Sequence, residues 1–202
     1  MPLSISPPTT DIEILSQAVM LCGGPGFNTI ESGGPFAQAA AAFYGSFVSG
    51  EIASNRWRFA EASQQVASLT TLNPAFDGWN YYYDLPSDLL MFHHILPRTR
   101  YAVFGDRLLT TSNQPITIVY TKNVPVSKWP PAFSLYIIYS IAAMLAQSVT
   151  NSDALRNSLQ NGAMYWRSRA LFPDGSSTPP TTIRSNPWVE VRYGYYNQRG
   201  RS

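Results

Sequence analysis

Apolar residues at helical spacing begin close to the start of the chain. Ile12, Leu15, Val19 and Cys22 fall on one helix face, and Thr10 followed by Glu13 is the signature of a capping box. Pro7 and Pro8 keep the preceding leader, 1–10, out of any helix. Gly23, Gly24, Pro25 and Gly26 predict the stop. Pro35 suits the first turn of a second helix. Phe36, Ala40, Phe43 and Phe47 carry that helix to about Arg56, and the alanines at 39–42 would let another helix approach closely.

The pattern then changes to alternation. The stretch 65–72 is rich in Val, Thr and Ser, and Trp79, Tyr81, Tyr83 and Leu85 predict a strand with an aromatic face. A further strand is expected over 91–96. The segments 101–104 and 107–110, joined by Gly105-Asp106, predict a tight hairpin. Ile116, Ile118 and Tyr120 alternate with Thr117 and Val119 and give one more strand. Pro130 and Pro131 open a strongly apolar helix, and Thr150, Asn151 and Asp153 mark a break and a new cap. Leu155, Leu159, Ala163, Trp166 and Ala170 form the stripe of a last helix, with Arg156, Gln160 and Arg167 off it. Pro173-Asp174-Gly175 predicts its end. The expected fold class is α+β: a four-helix body, a small antiparallel β insertion between the second and third helices, and an extended C-terminal arm. The corresponding parts are 1–60, 61–128, 129–172 and 173–202.

Charge adds to this picture. Only 13% of the 202 residues are charged, about half the usual share. With abundant aromatics, that predicts a surface partly covered by partners. A net charge of +2 is too small to imply nucleic acid by itself. The single cysteine, Cys22, excludes an intrachain disulfide and reads as a small core residue. The stretch 129–152 contains no charged residue. Ser134, Ser140, Gln147 and Ser148 interrupt it, so a buried core helix is expected there and no membrane span. Residues 1–10 lack the basic and apolar regions of a signal peptide.

Candidate chemistry is sparse. His93 and His94 are strand neighbours, which predicts opposite faces and no shared metal. Asp84 and Asp88 flank Leu85-Pro86 and are expected to cap a turn; with His93 they are the only grouping an enzyme reading could use. No nucleophile elbow, phosphate loop or zinc-protease motif is present. No catalytic residue, cofactor or metal is therefore assigned. The C-terminal segment stands out instead. Arg184, Trp188, Arg192, Tyr193, Tyr195, Tyr196, Arg199 and Arg201 interleave two residue types favoured as interface anchors. The same mixture could bind single-stranded nucleic acid by stacking and phosphate contact.

The order of short motifs carries a family resemblance. The second helix runs into Trp57-Arg58-Phe59-Ala60, and the aromatic strand into Tyr83-Asp84-Leu85-Pro86-Ser87-Asp88. The hairpin reads Tyr101-Ala102-Val103-Phe104-Gly105-Asp106-Arg107-Leu108. After the strand at 116–120 come Pro131-Ala132-Phe133, Met144-Leu145-Ala146, Thr150-Asn151-Ser152 and Leu155. Over about 8–172 this succession resembles the tail tubular protein A family, the head-to-tail adaptors of short-tailed bacteriophages. The resemblance implies a non-enzymatic virion subunit at the head–tail junction, made in the host cytoplasm. It implies a homo-oligomeric ring, a dodecamer, that sits below the portal protein, receives the tail nozzle protein on its other side and lets genomic DNA pass through its channel. By position the C-terminal segment would meet the portal or a neighbouring subunit. Tyr101, Phe104, Asp106 and Arg107 on the hairpin would meet the nozzle. Relatives often carry an arginine-rich second helix, where this chain has Gln38, the alanines 39–42 and Gly45. A different tail component, such as a nozzle or tail-completion subunit, fits the same composition.

Overall fold

The computed structural model describes residues 7–66, 70–76, 78–148 and 152–176. Among these residues four helices and two small antiparallel sheets make an α+β fold. Helix α1, Asp11–Leu21, starts at the predicted capping box. The Glu13 backbone N–H donates to the Thr10 hydroxyl (3.3 Å), and the Glu13 carboxylate accepts from the backbone N–H of Thr10 (3.3 Å) and of Thr9 (2.6 Å). Gly23, at φ 82°, turns the chain out of the helix, and the Gly24 N–H closes the end on the Val19 carbonyl. Helix α2 spans Gly34–Ser54, with Pro35 in its first turn.

Helix α3, Pro131–Ser148, is the centre of the helical body. Phe133, Ile137, Ile138, Ile141, Ala142, Leu145 and Ala146 are all buried, and α1, α2 and α4 each pack on it. A helix apolar on most sides is buried in this way. Among the described residues no helix is long and apolar enough to cross a membrane. Helix α4, Asp153–Ser176, returns antiparallel to α3. Gly162 lies where the two helices meet; a Cβ there would sit 2.5 Å from the Tyr139 ring. The predicted stop at Pro173-Asp174-Gly175 is corrected, because the helix passes through all three residues to Ser176. Proline removes a single N–H, and so close to the helix end that costs one intrahelical bond.

The expectation of one small sheet inserted between the second and third helices is also corrected. Among the described residues seven strands form two sheets. The first contains β1 (Glu61–Val66), β4 (Leu89–Leu96) and β7 (Ile116–Lys122) in the order β1-β7-β4. The second contains β2 (Thr70–Phe76), β3 (Trp79–Asp84), β5 (Tyr101–Phe104) and β6 (Arg107–Thr110) in the order β2-β3-β6-β5. Ile116, Ile118 and Tyr120, alternating along β7, face a second core shared with Ile95, Tyr83 and Leu108. Two sheets arise because each has an apolar face, and each buries that face on the other. The sheets join the helical body at an aromatic cluster. Phe133 lies 4.9 Å from both Trp57 and Phe59 and 5.0 Å from Trp129, centroid to centroid. The indole N–H groups of Trp57 and Trp129 donate to the carbonyls of Glu51 and Val124.

Candidate interaction surfaces

The histidines do not obey strand alternation. His94 lies opposite Val119 and Phe92 opposite Tyr120, so His93 is an extra residue in a β-bulge. Its Nε2 lies 2.8 Å from the Thr121 hydroxyl. Thr121 and Val119 share a face of β7, so both histidines sit on that face, and the expectation of opposite faces is corrected. Burial, and then the Arg56 guanidinium, push the His93 imidazole below its ordinary pKa. The hydrogen bond and ion pair with Arg56 hold the Glu61 carboxyl below the usual carboxylate range.

The acidic residues lie elsewhere. Tyr120 donates to the Asp88 carboxylate at 2.9 Å, on the opposite face of β7 from Thr121 and His93. Asp84 is largely exposed and pairs loosely with Arg107 at 3.9 Å. Asp84, Asp88 and His93 therefore do not converge on one point. Among the described residues no group of three or more His, Cys, Asp or Glu side chains could hold a metal ion.

The β5–β6 hairpin presents a surface. Gly105 adopts φ 62°, as a tight hairpin turn requires, and Phe104 pairs with Arg107 across it. Phe104 is 68% exposed, and Asp106 beside it is exposed too. Tyr101 packs its ring 5.3 Å from Phe92 while keeping an exposed edge. Arg107 lies 4.5 Å over the Tyr82 ring. Thus Phe104 and Asp106 are exposed at the tip; Tyr101 also packs on Phe92 of β4 in the first sheet, and Arg107 on Tyr82 of β3 in its own sheet. Arg184, Trp188, Arg192, Tyr193, Tyr195, Tyr196, Arg199 and Arg201 lie outside the described residues.

One surface escaped the sequence reading. Helix α4 buries Leu159, Ala163 and Ala170, yet on its opposite face Met164 is 71% exposed, Phe172 79%, and Tyr165 and Leu171 are exposed too. The signal was present as apolar residues at 164, 165, 171 and 172, which recur after seven positions and so share a helix face. Beside Met164 a groove opens between α2, α3 and α4, with a volume of about 410 Å³. Its floor is Tyr136, Ser140 and Ala143 of α3; Phe47 of α2 forms one wall, and Met164 and Arg167 of α4 the other. Tyr136 donates to the Glu51 carboxylate at 2.7 Å. Burial and that carboxylate push the Tyr136 phenol up to about 12.

No protein-family model matches the chain, and no curated protein matches it.

Proposed function

We propose that this chain is a structural subunit of a bacteriophage virion, a ring-forming head-to-tail adaptor that joins the portal to the tail nozzle around the DNA channel. The observation that carries the reading is the doubly apolar α4. One face is buried on α3, and the other displays Met164, Tyr165, Leu171 and Phe172. Clustered exposed apolar side chains on one face mark a protein interface. The low charge content supports the same reading, as does the succession of motifs that resembles the adaptor family. The Arg- and Tyr-rich segment that follows α4 is the portal-side clasp in this proposal.

The test is complementation of a virus lacking this chain with a version ending at Ser176, a cut that leaves every described element whole. The shortened chain is expected to fold with an unchanged melting curve and to leave heads without tails. Normal infectious particles from the shortened chain would remove the clasp. Absence of the full-length chain from purified virions would remove the adaptor reading altogether.

A further inference from the structure

We propose that the groove between α2, α3 and α4 receives the β5–β6 hairpin tip of a neighbouring copy, with Phe104 seated against Met164 and Asp106 paired with Arg167. The proposal rests on the reading of the chain as a ring subunit and names the contact that builds the ring.

The groove is apolar with a cationic wall. Phe47, Tyr136, Ala143 and Met164 supply the apolar lining, and Arg167 the charge. Arg167 forms no ion pair among the described residues. The Glu51 carboxylate accepts from Tyr136 at the floor, a bond that leaves its charge in place, but it forms no ion pair with Arg167. Between Asp153 and Asp174 helix α4 carries Arg156, Arg167 and Arg169 and no acidic residue. An occupant that suits this lining brings an aromatic or aliphatic side chain together with a carboxylate. The volume of about 410 Å³ lies within the range of natural ligand pockets.

The hairpin tip has that chemistry. Phe104 is the more exposed of the two aromatic residues on β5, and Asp106 follows it across the turn glycine. Asp106 forms no ion pair among the described residues, and Asp84 nearby adds a second, weakly neutralised carboxylate. Acid and aromatic on the tip thus complement arginine and methionine in the groove. Tip and groove are different surfaces of one chain, so the contact is head-to-tail. Such contacts propagate and close into a ring when the rotation between copies permits. In this arrangement the tip meets a neighbour and not the nozzle.

A charge-reversal cycle on the full-length protein tests the contact, read by sedimentation velocity over a concentration series and by electron microscopy of rings. Arg167→Glu alone and Asp106→Arg alone are each expected to weaken self-association at least about tenfold, and the double variant to recover most of the loss. Asp106→Asn, which keeps a residue suited to the turn, and Phe104→Ser are expected to weaken it as well. Circular dichroism melts establish that each variant is folded. Rings in the wild type with no coupling between positions 106 and 167 would overturn the contact and leave the adaptor reading standing. Variants that form normal rings but fail to bind the nozzle would assign the tip to the nozzle and overturn the contact. A wild type that stays monomeric at every concentration and forms no ring on the portal would overturn both.

Discussion

At the scale of single residues, the buried Cys22, Tyr120 and Tyr136 have definite hydrogen-bond partners, and these set measurable behaviour. The Cys22 thiol donates to the Ala142 carbonyl at 3.1 Å, and burial pushes its pKa up. Little thiolate forms in the native state, so alkylating reagents are expected to label Cys22 only as the protein unfolds. Rapid labelling of native protein would contradict the buried placement. Tyr120 and Tyr136 each donate to a carboxylate, and their phenols are held up to about 12. The folded state therefore keeps protons that an unfolded tyrosine releases near pH 10. Stability from these groups is fully present below pH 10 and is lost as pH rises from about 10 to 12. Replacing both by Phe is expected to flatten melting temperature against pH across that window. Thr10→Ala removes one arm of the capping box and is expected to cost about 1 kcal/mol by denaturant unfolding.

At the scale of elements, the sequence was most legible where a local rule and the packing agreed. The capping box, the Gly23 stop, the Gly105-Asp106 hairpin and the alternation of Ile116, Ile118 and Tyr120 all appear as expected. It was least legible where a neighbour made the decision. Strand β1, Glu-Ala-Ser-Gln-Gln-Val, has little apolar pattern; it forms because β7 offers it a register from Glu61↔Thr121 to Val66↔Ile116. The bulge at His93 is set by pairing with β7 and leaves no mark in composition. The groove could not be read from the sequence because it joins residues of three helices far apart in the chain. The exposed face of α4 does leave a mark in the sequence, in the apolar residues at 164, 165, 171 and 172. Close packing of α3 on α4 depends on Gly162. Alanine there gains helix propensity of about 1 kcal/mol. Its Cβ, however, would fall 2.5 Å from the Tyr139 ring. Gly162→Ala is therefore expected to be net destabilising, and a raised melting temperature would mean that Tyr139 swings away freely. Phe133→Ala, which empties the centre of the aromatic cluster, is expected to cost about 3–5 kcal/mol.

At the scale of the whole molecule, the lengths of α3 and α4 do not match. The contact of Gly162 with Tyr139 fixes the antiparallel register, which places Ala170 near Pro131 at the start of α3. Residues 171–176 therefore run about 9 Å past the start of α3 at the helical rise, and Phe172 there is 79% exposed. A pull on the C-terminal end of α4 directed along its axis would try to slide the helix lengthwise past α3. Leu155, Leu159, Ala163, Trp166 and Ala170 then resist together, where a sideways pull would peel them away one after another. An axial load at this end of α4 would therefore meet the whole stripe at once.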